Sequence, residues 1–248
     1  MGARAGVVVA ALALLTAACG ASSHAASSSA PKASAPPSTR GTIAACHPVP
    51  YDPPQPVNLC GTPGVSKAEE TRAENLIRAT QVDLRRYEYP QEAYAAGYRS
   101  IGDALTGDEH YVKWSYVDDG HILDPTRPES IVYEQRNGHQ EAVAAMYMLP
   151  FGSSFASVPD VGGPLTQWHV HSNLCLTNDP VQKVVAGFTF GQRGCRSGTS
   201  KAGNTPMLHV WTIPNKCGPF AALEGIGGGE IAPGQTRLCD TLHGDSTN

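Results

Sequence analysis

The chain has no apolar run long enough for a comfortable membrane-spanning helix, no patch of basic residues and no phosphate loop. Each absence removes a class of function. The apolar stretch Val7 to Leu15 falls short of the hydrocarbon thickness of a bilayer. Lys and Arg number 18 against 22 Asp and Glu, for a net charge of -4. The basic residues neither cluster nor interleave with aromatics, so nucleic acid is not an expected partner. Gly225-Ile226-Gly227-Gly228-Gly229 lacks the Lys and Ser/Thr of a phosphate loop and reads as a flexible surface turn. Gly152-Ser153-Ser154 carries Phe155 where a nucleophile elbow needs its second glycine. Asp108-Glu109 and Asp118-Asp119 read as solvated acidic turns rather than calcium ligands. No internal repeat is present.

What is there begins with an export signal. Arg4 supplies the positive start and Val7 to Leu15 the apolar stretch. Leu15-Thr16-Ala17-Ala18-Cys19-Gly20 resembles the lipobox of bacterial lipoproteins, with Thr16 where leucine is commoner. The resemblance implies cleavage after Ala18 and lipidation of Cys19, hence a protein on the extracytoplasmic side of the cell membrane, held by its lipid. Residues 19 to 45 are rich in Ser, Ala and Pro and too poor in apolar bulk to offset their ordering entropy, so they read as a tether. Residues 46 to 248 are enough for a single domain with its own core.

Apart from Cys19, the cysteines are Cys46, Cys60, Cys175, Cys195, Cys217 and Cys239. An even set in an exported chain reads as a disulfide framework. Sequential pairing, Cys46 with Cys60, Cys175 with Cys195 and Cys217 with Cys239, closes modest loops worth about 3 kcal/mol each. The competing role for Cys175 is a thiolate ligand, which oxidising surroundings disfavour and which would leave Cys195 without a partner.

Ser66-Lys67-Ala68-Glu69 has the form of a capping box, and Ala73, Leu76, Ile77, Thr80, Leu84 and Tyr87 recur at helical spacing. This predicts a helix from Ser66 to about Tyr89 and a shorter one from Pro90 to Ala96, ended by Gly97. The rest reads as strands: His110 to Val117, a hairpin turn at Asp118-Asp119-Gly120, Ile131 to Arg136, a turn at Asn137-Gly138, and Glu141 to Leu149. Further strands are expected at Leu165 to Leu176, Val181 to Phe190 and Met207 to Ile213. The expected class is mainly β, a sandwich or small barrel with an N-terminal helical segment, α+β overall.

Gln167-Trp168-His169-Val170-His171 carries the chemistry. In a strand, His169 and His171 share a face and can share a metal ion, while Trp168 and Val170 pack on the other. His209, in Met207-Leu208-His209-Val210-Trp211, is the third candidate ligand, followed by Glu134 and then His110. With these histidines the chain resembles a cupin, a small β-barrel family whose metal site uses His-x-His, a nearby glutamate and a later histidine. Leu174, Cys175 and Leu176 stand where that glutamate would fall, so Glu134 would have to come from another strand. The resemblance implies a barrel and dioxygenase-like activity.

Met146-x-Met148 and Met207-x-His209 alternate in the same way, and thioether with imidazole suits copper, although Met146 and Met148 also read as ordinary core. Tyr111, Trp114 and Tyr116 read as strand aromatics that could line a groove. The expectation is a divalent transition metal, zinc or copper. It would serve either a metal-dependent oxygenase or hydrolase or a copper-handling carrier. The remaining class is a non-catalytic envelope interaction protein using the long polar loop Gly152 to Gly163. No protein or small-molecule partner is specified by these residues.

Overall fold

The computed structural model describes residues 46–47, 49–189, 194–222 and 228–236. The chain divides into two units, Met1–Ile43 and Ala44–Asn248, and the described residues belong to the second. The signal segment, the tether, Cys19 and Cys239 lie outside the described residues.

Helix α1 spans Lys67–Leu84. The Glu69 N–H donates to Ser66 Oγ at 3.3 Å, and the Ser66 N–H donates to Glu69 Oε2 at 2.6 Å, completing the expected capping box. Ala73, Leu76, Ile77, Thr80 and Leu84 form its buried stripe. The helix tightens into a 3-10 turn at Arg85–Tyr87 rather than running on to Tyr89. Helix α2, Pro90–Ala95, ends where Gly97 adopts φ 95°. The Gly97 N–H then reaches the Tyr94 carbonyl and the Tyr98 N–H the Ala93 carbonyl, a left-handed cap that glycine permits.

Among the described residues, ten antiparallel strands form two sheets. They are β1 (Arg99–Ser100), β2 (Asp108–Val112), β3 (Ser130–Arg136), β4 (His139–Met148), β5 (His169–Val170), β6 (Leu174–Thr177), β7 (Val185–Phe188), β8 (Thr199–Lys201), β9 (Met207–Trp211) and β10 (Glu230–Ile231). The larger sheet has the order β1-β2-β3-β4-β9-β5-β10, and the smaller has β7-β6-β8. The fold is therefore mainly β with helices, α+β. Both orders are linear, so no closed barrel forms among the described residues. Asn137 (φ 50°) and Gly138 (φ 88°) make the two-residue turn joining β3 to β4.

The larger sheet is buried on both faces. On one, Ile131, Tyr133, Ala145, Tyr147, Leu208 and Val210 meet the α1 stripe and Trp168. The Thr80 and Tyr147 hydroxyls join there at 2.7 Å. The other face carries Val132, Ala144, Met146, Met148, Met207 and Trp211.

Four of the expected strands and turns are corrected. The strand from His110 ends at Val112, because Lys113 turns its ammonium to the Ala96 carbonyl and the Tyr116 hydroxyl and the chain enters a 3-10 turn at Trp114–Tyr116. No hairpin forms at Asp118-Asp119-Gly120, where Asp119 is held by the His121 N–H and Arg127. The expected strand from Leu165 to Leu176 is two strands in different sheets, β5 and β6, parted at Ser172 and Asn173. The expected strand from Val181 starts only at Val185, since Asp179 Oδ1 accepts the Val181 and Gln182 N–H groups in a turn. Its expected last residue, Phe190, lies outside the described residues.

Two disulfides stand as expected: Cys46–Cys60 and Cys175–Cys195, with Cα separations of 5.6 and 5.7 Å. Cys175 is thereby a staple of the smaller sheet, not a thiolate. Cys217 is disulfide-bonded as well.

Candidate metal centre

Antiparallel pairing sets three rows of side chains on the face away from α1. Strand β9 lies between β4 and β5, so Met146 stands opposite His209, Met148 opposite Met207, and Met207 opposite His169. His169 and His209 stack, with ring centroids 4.9 Å apart and planes 14° apart. His171 follows β5 directly, and its ring lies 5.2 Å from that of His169, edge to face.

His110 arrives from β2, three strand positions away from β9. In a flat sheet that is about 14 Å. Its Nε2 nonetheless lies 3.1 Å from His209 Nε2, so the sheet curls around this face. Four imidazoles, from β2, β9, β5 and the residue that follows β5, are thus gathered in the concavity. His110, His169, His171 and His209 are all buried, His169 and His209 completely.

The partners of the other ring nitrogens set the tautomers. His110 Nδ1 lies 2.6 Å from Asp103 Oδ2, and Asp103 Oδ1 accepts the His110 backbone N–H at 2.9 Å. His169 Nδ1 lies 3.2 Å from the Gln167 carbonyl oxygen. A carboxylate and a carbonyl only accept, so both Nδ1 atoms carry the proton and each Nε2 is left as the basic nitrogen. This is the arrangement by which metal-ligating histidines are oriented. His209 Nδ1 is buried with no hydrogen-bond partner.

Burial disfavours the charged form of His110, but the Asp103 carboxylate, helped by Asp108 and Glu109, outweighs it and raises the pKa. His209 has only other imidazoles around it. Burial and then His169, His110 and His171 hold its pKa well below the ordinary value. Asp108, expected as a solvated turn residue, is 8% exposed, and burial pushes its carboxyl up to about 6.

Beside the histidines is a cavity of about 60 Å³ between the two sheets, room for a few water molecules. His110, His171 and Asp103 share its lining with Met146, Met148 and Met207, while Leu174, Leu176 and Phe188 supply the wall from the smaller sheet. Trp114 also reaches it, stacked on Phe151 with Lys183 over the ring. Tyr111 instead packs edge-on against Tyr133 on the opposite face.

Glu134 is not brought to the cluster. It stands opposite Asp108 and pairs with Arg136 at 3.0 Å. Asp103 is the site residue that the sequence did not single out. Its signal was the requirement that a buried histidine find a partner, with Asp103 a short way upstream of His110. Gly229, read as part of a flexible turn, packs against the site: a Cβ there would lie 2.4 Å from the Val170 carbonyl oxygen and 3.0 Å from His171 Nδ1.

Counting His, Cys, Asp and Glu alone, no group of three or more among the described residues is set to hold a metal ion. In this arrangement His110 and His209 bond to each other, and His169 lies flat on His209. No protein-family model, curated protein or solved structure matches this chain.

Proposed function

We propose that this is an extracytoplasmic protein, anchored to the cell membrane by a lipid on Cys19, that binds one transition-metal ion at the histidine cluster. The observation that carries the reading is the 3.1 Å approach of His110 Nε2 to His209 Nε2. Two nitrogens on one tetrahedral ion lie about 3.3 Å apart, so this pair needs only a few tenths of an ångström to take an ion in place of its hydrogen bond. His169 and His171 stand beside the pair as further ligands, while Asp103 and the Gln167 carbonyl hold two of the rings in the ligating tautomer. Four imidazoles packed together in a buried concavity also repel if protonated, which gives a metal ion a reason to be there.

The cavity at His110 and His171 supports a catalytic version of this reading, a metal-dependent oxygenase or hydrolase acting on a small molecule. The metal would supply Lewis acidity there, and Asp103 and His110 would hold a proton beside the ligand. The lipobox-like stretch ending at Cys19 and the Ser/Ala/Pro-rich segment after it support the anchored location.

The test is elemental analysis of the full-length protein, purified oxidised without added metal, beside the His169→Ala/His171→Ala variant. Near-stoichiometric metal in the wild type that is lost in a folded variant is the expected result. No metal after reloading with zinc and with copper would sink the proposal.

A further inference from the structure

We infer that the ion this site takes is cuprous copper, with methionine thioethers completing its coordination. The inference rests on the metal-binding reading above and adds the identity of the ion.

The chain has four methionines. All but the first residue stand on the histidine face of the larger sheet. Met146 is directly across from His209, Met148 across from Met207, and Met207 across from His169. All three line the same cavity as His110 and His171. Methionine is a common filler of irregular cores, but filler would be spread over both faces. The α1 face, which holds the larger apolar cluster, has no methionine.

Charge points the same way. Imidazole and thioether are neutral donors, and the Asp103 carboxylate in the cavity lining is bound to His110 Nδ1. The cost of carrying an ion into an apolar cavity grows with the square of its charge, so a divalent ion costs about four times as much as a monovalent one. Most zinc sites recover that cost with thiolates or carboxylates among the ligands. Here Cys175 and Cys195 are closed in a disulfide, and Glu134 is held away by Arg136. A soft monovalent ion suits what remains.

Coordination number is the third argument. The His110 and His209 nitrogens come together, while His169 lies stacked on His209 and His171 stands edge-on to His169, so no group of three His, Cys, Asp or Glu among the described residues is set around one ion. Copper(I) is satisfied by fewer ligands than zinc, and thioethers are the soft donors that supply the remainder.

The test uses the full-length protein and its Met146→Leu/Met148→Leu/Met207→Leu variant, substitutions that nearly conserve volume. Copper(I), kept reduced with ascorbate, is titrated in competition with bicinchoninate, and zinc(II) against a chromophoric chelator. Binding of copper(I) that weakens about tenfold or more in the variant, with zinc affinity unchanged, is the expected result. X-ray absorption of the copper-loaded wild type should show sulfur in the first shell, a readout that does not depend on the variant folding. A folded variant with unchanged copper(I) affinity, or a shell of nitrogen alone, overturns the inference and returns the methionines to packing. Zinc bound without copper(I) overturns it too but leaves the metal-binding reading standing. Neither ion bound overturns both.

Discussion

Asp103 decides what His110 can do. Its carboxylate accepts from both the ring Nδ1 and the backbone N–H of His110, so the ring can neither flip nor change tautomer without losing a charge-assisted bond in a buried place. Asp103→Asn keeps the size and removes the charge. We expect it to lower metal affinity by about 10- to 100-fold without unfolding the protein, measured by copper(I) and zinc titrations beside a thermal melt. The pKa of His110 should fall in the same variant, because burial would then be opposed only by the weaker pull of Asp108 and Glu109. His169, His171 and His209 were legible as candidates from their spacing alone. Asp103 was not, because nothing in its neighbourhood separates a clamp from a loop aspartate until the chain folds back on it.

At the scale of elements, the site depends on the shortest strands. The pair β5 and β10 has two residues in each strand, with Ile231 opposite His169 and Glu230 opposite Val170. Gly229 enters this pair at φ 64°, where an added Cβ would lie 3.0 Å from His171 Nδ1. Gly229→Ala combines about 1 kcal/mol of backbone strain with a contact that must displace either the strand or the imidazole. It should lower the melting temperature and weaken metal binding together. Gly234→Ala provides the control, since Gly234 has a similar φ of 84° but open space around its missing Cβ. That variant should lose stability from strain alone and keep its metal affinity. The long periodic elements, α1 and β4, were readable because their buried faces repeat over many residues. Strands β1, β8 and β10 were not, being too short to show an alternation.

At the scale of the molecule, Glu129 ties the sheet together and makes stability depend on pH. It is 1% exposed, its carbonyl accepts the Lys113 N–H, and its carboxylate accepts the Met148 N–H at 3.0 Å. Burial pushes its carboxyl up to about 8, against the Met148 hydrogen bond and with Asp119 and Asp124 adding to the rise. Between the ordinary carboxylate range and that value, the folded chain holds a proton that the unfolded chain has released. The contribution is full in acid and is lost as pH rises, with a limiting slope of about 1.4 kcal/mol per pH unit. Glu129→Gln keeps an acceptor for Met148 and removes the proton. Its melting temperature should change less than that of the wild type between pH 5 and pH 8, and an equal change in both would refute the assignment.

Helix α1 with its cap, the β3–β4 hairpin, the mainly β class and the pairing of Cys46 with Cys60 and Cys175 with Cys195 follow from local patterns, because each is specified by residues close in sequence. The gathering of His110 with His209, the exclusion of Glu134 and the single face shared by Met146, Met148 and Met207 were decided only in the tertiary structure. Strand order and sheet curvature set them, and both arise from packing between residues far apart in the chain, which no local periodicity encodes.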